Sequence, residues 1–342
     1  MNILELIRPD LLDLQPYSSA RDEYSGSEGV FIDANENPFE NGVNRYPDPL
    51  QKNLKEKVSV IKGVSSSKIF LGNGSDECID LLFRLFCIPT IDRVVTISPS
   101  YGMYKVSAKI NQIEICEVLL NPDYTLNVEK LNEAAVDAKM ILLCSPNNPT
   151  GNAFPKSEII SILQSNSCLV VVDEAYIDFS QEETLLGELD NYPNLVVLQT
   201  FSKAYGLAGL RLGLLFGSIE IVEWLNKVKP PYNISQLTQN EAMIRIQDSE
   251  LIRKQINYLL EERERITLEM QKIHNILKVY PSDSNFILIK VLDADKLYNY
   301  LIINKIITRN RTNQPLCRNC IRVTIGTIDE NNLLLEKLIE FK

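Results

Sequence analysis

The sequence predicts an α/β protein with two parts: a large domain built on a mostly parallel sheet covered by helices, and a smaller α+β domain. Short apolar runs rich in β-branched residues recur between Lys68 and Leu198, most of them separated by helix-length segments. The runs are apolar without alternation, as strands buried on both faces are. From about Glu220 the pattern changes to long charged helical stretches, followed by one alternating run, Phe286 to Lys290. A length of 342 residues suits two domains. The expected boundaries are 31–245 for the large domain, with 1–30 and 246–342 together forming the small one.

Taken in order, the first residues form a short amphipathic helix that ends near Pro16. Val30-Phe31-Ile32 reads as a strand running into a polar turn at Asn35-Glu36-Asn37-Pro38. Asn44-Arg45-Tyr46-Pro47-Asp48-Pro49 is a proline-bracketed loop, either a plain turn or a means of presenting an aromatic hydroxyl to a site. Ile69 to Leu71 is a strand, Gly72 to Glu77 a turn, and Cys78 to Phe86 a helix. Glycines before a helix leave backbone N–H groups free to meet an anion, and the helix dipole favours negative charge there. Gly74, Ser75 and Asp76 are therefore a candidate phosphate cup, while Ser75 equally suits a plain N-cap. Further strands follow at 94–97, 114–118, 140–143, 169–172 and 196–198. The C-terminal part reads as a charged helical stretch over 251–277, a strand at 286–290, a helix around 294–303, a strand at 321–325 and a closing helix.

Bulk composition excludes several classes of function. Lys and Arg number 35 against 45 Asp and Glu, a net charge of −10, and no dense basic tract occurs. Nucleic acid and anionic membrane surfaces are therefore not expected partners. The longest apolar runs are far too short to span a bilayer, and the first eight residues lack the basic and apolar regions of a secretion signal. A cytoplasmic location is expected. Seven cysteines, an odd number in mostly apolar surroundings, suit free thiols in a reducing compartment. Cys317-x-x-Cys320 has no second pair, and the only histidine, His274, lies alone in a charged helical pattern, so no metal site is expected.

Ligands of open α/β sheets bind beyond the carboxyl ends of the strands. Chemically capable residues recur at those places: Tyr101 after the run at 94–97, Asn148 after 140–143, Asp173 and Tyr176 after 169–172, and Thr200, Ser202, Lys203 and Arg211 after 196–198. A lysine amine bonds a carbonyl carbon when burial or nearby positive charge frees it of its proton, and Arg211 supplies such a charge. Alone, Lys203 reads equally as a surface lysine after a strand. Together, the loops match an aromatic aldehyde bearing a phosphate and a ring nitrogen. Lys203 suits the aldehyde; Gly74, Ser75, Asp76, Thr200, Ser202 and Arg211 suit the phosphate. The Asp173 carboxylate suits a protonated ring nitrogen, Asn148 and Tyr176 a ring hydroxyl, and Tyr101 the ring face. Pyridoxal 5'-phosphate is a cofactor of that description.

The series Gly72-Asn73-Gly74-Ser75-Asp76-Glu77, Pro99-Ser100-Tyr101-Gly102-Met103-Tyr104, Ser145-Pro146-Asn147-Asn148-Pro149-Thr150-Gly151, Asp173-Glu174-Ala175-Tyr176, Ser202-Lys203-Ala204 and Leu207-Ala208-Gly209-Leu210-Arg211 resembles the class II, fold-type I pyridoxal phosphate aminotransferases. A finer similarity, at Pro16-Tyr17, Asn35 to Pro38, Arg45 to Asp48 and Cys320 to Thr327, is to members that take histidinol phosphate in histidine biosynthesis, and it spans about residues 14–330. The resemblance implies Lys203, Asp173 and Tyr176 as catalytic residues, Lys203 being the Schiff-base lysine. It implies histidinol phosphate and glutamate or 2-oxoglutarate as substrates, bound by Tyr17, Asn35, Arg309 and Arg322, with Arg322 on the anionic end. It also implies a homodimer in which Tyr46 reaches the cofactor phosphate of the neighbouring subunit. The irregular stretch Arg309 to Leu316 departs from the pattern. The alternatives are an aromatic amino acid aminotransferase, a threonine-phosphate decarboxylase-like lyase and, from another class, a non-catalytic binding protein on the same scaffold. A dehydrogenase reading fails because Gly72-Asn73-Gly74 lacks the third glycine of a dinucleotide fingerprint.

Overall fold

The apolar runs condense into two sheets, seen in a computed structural model that describes residues 2–16 and 29–341. Two 3-10 turns, Ile3–Glu5 and Pro9–Leu11, open the chain. Helix α1 (Lys52–Lys62) is followed by β1 (Ile69–Asn73), α2 (Ser75–Phe86), β2 (Arg93–Ser98), α3 (Met103–Ile110) and β3 (Glu114–Leu119). Next come α4 (Val128–Ala135), β4 (Met140–Cys144), α5 (Lys156–Ser165), β5 (Leu169–Asp173), β6 (Leu195–Thr200) and β7 (Leu212–Phe216). Helices α6 (Ile219–Val228), α7 (Gln236–Arg245) and α8 (Ser249–Met270) lead to β8 (Ile276–Val279), β9 (Phe286–Val291), α9 (Ala294–Ile303), β10 (Arg309–Asn310), β11 (Cys320–Thr324) and α10 (Ile328–Glu340).

The large sheet has seven strands in the order β1-β7-β6-β5-β4-β2-β3. Neighbours from β6 to β3 pair in parallel, and β7 runs antiparallel to both β6 and β1. Every residue of β4, β5 and β6 is buried, which a sheet covered on both faces requires. Successive side chains point to opposite faces and feed two apolar layers. Ile69, Leu71, Leu143 and Phe201 belong to one layer, and Phe70, Phe83, Leu142 and Trp224 to the other. Each such side chain, fully buried, contributes roughly 1.5–3 kcal/mol relative to exposure. The pairing of Asp173 with Cys144 on one side and with Leu198 on the other brings the carboxyl ends of β4 and β5 level, with β6 running two residues further. The α/β reading, with a mostly parallel sheet and a smaller α+β part, describes the architecture.

The small sheet is antiparallel throughout, in the order β10-β11-β9-β8. One face packs on the last helices through Ile289, Val323, Ile266, Leu297 and Leu334. The other turns toward the large sheet: Leu288 and Cys320 join one of its layers, and Phe286 packs with Ala175, Tyr176 and Ala204.

Several local expectations give way. Val30 to Ile32 forms no strand; Val30 and Ile32 are each 89 % exposed, and neither sheet formed by the described residues includes this segment. The charged helical pattern breaks at Met270, so His274 lies in a turn rather than on a helix face and Leu277 belongs to β8. Strand β7 is one that the sequence reading does not include. Helix α2 begins at Ser75 with Gly74 as its N-cap, so Ser75 is not the cap. The N-terminal segment is two 3-10 turns, and Ile3 and Ile7 pack in the layer of Phe70 and Phe83. That stretch belongs with the large sheet rather than with the small domain, because its apolar side chains find their burial there. Among the described residues no helix is long and apolar enough to cross a membrane, and no group of three His, Cys, Asp or Glu is placed to hold a metal ion. All seven cysteines are free.

Candidate active site

The carboxyl ends of β4, β5 and β6, the start of α2 and the loop into β7 enclose one cavity of about 120 Å³. Asp76, Tyr101, Asn148, Asp173, Lys203 and Arg211 line it, with Ser75, Tyr176, Thr200 and Ser202.

The anion end is made by a close approach of β7 to α2. Arg211 sits in the left-handed region at φ 53°, and its carbonyl accepts from the Gly74 N–H at 2.7 Å. A Cβ on Gly213 would lie 2.2 Å from the Ser75 nitrogen, a backbone atom that cannot give way, so the approach needs glycine there, and Gly74 sits at φ 78°, where a side chain is strained. It sets a guanidinium beside the first turn of a twelve-residue helix, where backbone N–H groups and dipole favour an anion. Thr200 Oγ1 donates to Ser202 Oγ at 2.9 Å on the opposite rim. The Asp76 carboxylate is engaged with the walls of the site: it accepts from the Tyr101 hydroxyl at 3.0 Å and lies 3.6 Å from Arg211. Its side chain therefore orients these two residues, and what it offers an anion is its backbone N–H.

At the cavity floor Asp173 is 3 % exposed. Its Oδ2 accepts from the Tyr104 hydroxyl at 2.8 Å and its Oδ1 from the Ala175 N–H at 3.1 Å. Burial pushes its pKa up to about 6 despite these two donors. A carboxylate so placed is kept ionised by a cation in the cavity, the condition a protonated pyridine nitrogen meets. Asn148 Nδ2 donates to the Tyr176 hydroxyl at 3.4 Å, while Arg322 Nη1 donates to Asn148 Oδ1 at 2.5 Å. Arg322 thereby decides which end of the Asn148 amide faces the cavity. Burial raises the Tyr176 phenol pKa, which keeps it a hydrogen-bond donor.

Lys203 opens onto the cavity with its amine 5.6 Å from the centre of the Tyr176 ring. Desolvation by the surrounding protein lowers its pKa; Arg322 and Arg211 lower it further, and Asp173 opposes them. Each part of pyridoxal phosphate thus meets a matching group: an amine for the aldehyde, an unpaired buried carboxylate for the ring nitrogen, amide and phenol for the hydroxyl, a helix start with an arginine for the phosphate.

Arg322 reaches the site from the small sheet, its guanidinium 5.1 Å from the Phe286 ring centre, and Arg309 pairs with it across β10 and β11. Asn35 and Tyr46 lie elsewhere, in a second groove with Tyr232, against which Tyr46 stacks at 4.4 Å. Within one chain the structure does not bring Asn35 or Tyr46 to the cavity, and Tyr17 lies outside the described residues. Three contributors have no role in the sequence reading of the site: Tyr104, which holds Asp173; Phe286, under Arg322; and Arg311, beside Arg309. Only Arg311 leaves a local signal, since Arg309-Asn310-Arg311 in extended backbone sets two arginines on one face.

This arrangement is that of a fold-type I pyridoxal phosphate enzyme. A profile of the aminotransferase class I and II family matches residues 31–338. The histidinol-phosphate aminotransferase of Bacteroides thetaiotaomicron is 53 % identical over 340 residues, covering 99 % of this chain and 98 % of the relative. That of Flavobacterium johnsoniae is 50 % identical over 341 residues, covering 98 % of each. Among solved structures, histidinol-phosphate aminotransferase from Clostridium acetobutylicum superposes with a TM-score of 0.81 at 25 % identity, covering 87 % of this chain and 90 % of that one. The Sinorhizobium meliloti enzyme, solved in complex with pyridoxal-5'-phosphate, superposes at 0.80 with 24 % identity, covering 86 % and 82 %. The chain belongs to the class I and II aminotransferases, which depend on pyridoxal phosphate.

Proposed function

We propose that this chain moves an amino group between histidinol phosphate and 2-oxoglutarate, the two substrates using one site in turn in a ping-pong sequence. The observation that carries the reading is the arginine pair of the small sheet, Arg309 and Arg322, set beside the Lys203 cavity through the Arg322 to Asn148 bond. Both amino donors, histidinol phosphate and glutamate, end in an anion, and a guanidinium fork serves phosphate and carboxylate alike. The relatives that share about half of its residues over their full length are histidinol-phosphate aminotransferases.

Pyridoxal phosphate, when bound, supplies an electron sink for charge developing on the substrate carbon. The chain supplies the rest. Lys203 Nζ would hold the aldehyde carbon and, once displaced by the amino substrate, would carry a proton from the substrate α-carbon to that former aldehyde carbon, after which water would release the keto product. Its lowered pKa keeps more of the amine free to accept that proton. Asp173, held by Tyr104 and Ala175, keeps the ring nitrogen protonated. Asn148 and Tyr176 hold the ring hydroxyl. The start of α2 at Gly74, Ser75 and Asp76, with Thr200, Ser202 and Arg211, holds the phosphate, and Tyr101 covers the ring face. Arg322, Arg309, Tyr17 and Asn35 hold the substrate. The active unit is a homodimer in which Tyr46 serves the neighbouring subunit's cofactor phosphate; Tyr46 is 50 % exposed and lies outside its own cavity. Seven free thiols support a reducing, cytoplasmic setting.

In the test, Lys203→Ala loses both turnover and the borohydride-reducible attachment of pyridoxal phosphate; retention of both sinks the assignment. The wild-type enzyme forms glutamate from histidinol phosphate and 2-oxoglutarate in preference to phenylalanine. Release of carbon dioxide from threonine phosphate would move the reading to a lyase.

A further inference from the structure

The small sheet turns three arginines toward the site. Arg309 pairs with Arg322 across β10 and β11, and the Arg311 N–H donates to the Cys320 carbonyl at 2.8 Å, which continues the same pairing two residues on. Side chains two apart on an extended chain share a face, so Arg311 joins Arg309 and Arg322. Burial lowers the Arg311 pKa to about 10, with the charges of Arg322 and then Arg309 adding to the effect, while Cys317 and then Tyr176 act in the opposite direction. The shared face puts the Arg311 guanidinium on the side of the sheet from which Arg322 reaches Asn148. Its Nε is buried without an acceptor, and among the described residues no carboxylate pairs with Arg309, Arg311 or Arg322. Like charges gathered without counter-ions are unfavourable in the empty site, and a multiply charged ligand offsets that cost.

We propose that Arg311 determines specificity: it is the third guanidinium of a dianion site with Arg309 and Arg322, and it favours a phosphate-bearing amino substrate over a carboxylate-bearing one. A carboxylate has two oxygens and one charge, which a single guanidinium fork satisfies. A phosphate monoester near neutral pH has three terminal oxygens and close to two charges, so it leaves an oxygen and a charge for a further arginine. Arg322 and Arg309 serve both substrates in turn; Arg311 adds to one of them. The inference rests on the histidinol phosphate reading.

The experiment compares the two half-reactions of the holoenzyme, followed by cofactor absorbance, in the wild type and Arg311→Gln. The expected result is a roughly 10- to 100-fold fall in kcat/KM for histidinol phosphate, carried mostly by KM, against less than about threefold for glutamate. Equal losses for the two substrates, or no loss for either, overturn the proposal. Inhibition by inorganic phosphate and by succinate gives an independent reading: only phosphate inhibition weakens in the variant. If the wild type does not convert histidinol phosphate, the substrate reading fails, and the phosphate and succinate pair still decides the role of Arg311. Should Arg311→Gln lack native circular dichroism, Arg311→Lys undergoes the same comparisons, with the same selective loss expected and a uniform effect overturning the proposal.

Discussion

At the scale of single residues, Asp173 shows how a site is prepared for a charge it does not itself contain. Its pKa in the folded chain, about 6, lies above the ordinary carboxylate value near 3.9. A raised folded pKa means that this group's contribution to stability is fully present below about pH 4 and is lost as pH rises through 6. Ionising Asp173 in the cofactor-free protein at pH 7 therefore costs on the order of 3 kcal/mol, and a protonated ring nitrogen removes that penalty. Thermal unfolding of cofactor-free Asp173→Asn is expected to show a variant more stable than the wild type at pH 7.5 and equal to it near pH 4, while its affinity for pyridoxal phosphate falls. A stability difference that does not change with pH would contradict this account. Asp173 itself is legible in the sequence, as an acid at a strand end. The Tyr104 hydroxyl that holds it comes from 69 residues earlier, and nothing local marks that contact.

At the scale of elements, the approach of β7 to α2 sets Arg211 beside the start of a helix. Arg211 is readable from the sequence as an anion-binding residue, yet the strand that starts one residue later is not, since five residues containing a glycine after a small-residue loop resemble more loop. The geometry separates neighbouring glycines in their effects. Gly213→Ala must push β7 away from the Ser75 backbone and is expected to destabilise the fold by roughly 2–3 kcal/mol. It should also weaken cofactor binding, because Arg211 moves with the strand. Gly209 has nothing within 4 Å of an added Cβ, so Gly209→Ala is expected to stay within about 0.5 kcal/mol of the wild type. Urea unfolding and equilibrium titration with pyridoxal phosphate check both variants, and equal effects would refute the close-approach explanation. The break between α8 and β8 escapes sequence reading for a similar reason: no proline or glycine marks it, and the charge pattern runs on past Met270.

At the scale of the whole molecule, the site lies between two sheets and the Arg322 to Asn148 bond, spanning 174 residues of chain, ties them together. The homodimer reading adds a second chain. On that reading Lys203→Ala and Tyr46→Ala damage different chains of one composite site, so mixing the two variants under conditions of subunit exchange should regenerate one intact site in each mixed dimer. Random exchange of equal amounts restores about a quarter of all sites, far above either variant alone. Verified exchange with no recovered rate would show that Tyr46 serves only its own chain or no site at all.

The sequence by itself determined the large sheet and the residues at its carboxyl ends: Tyr101, Asn148, Asp173, Tyr176, Lys203 and Arg211. It could do so because strands buried on both faces are continuous apolar runs, and the loops that follow them are adjacent in the chain. The tertiary structure decided what depends on distant partners. Pairing of β10 with β11 put Arg311 beside Arg322, packing put Ile3 and Ile7 on the large sheet, and the Tyr104 bond fixed Asp173. It also set Asn35 and Tyr46 apart from the cavity of their own chain. Local pattern specifies which backbone is buried; contacts between segments far apart in the chain depend on register and packing, which no short stretch encodes.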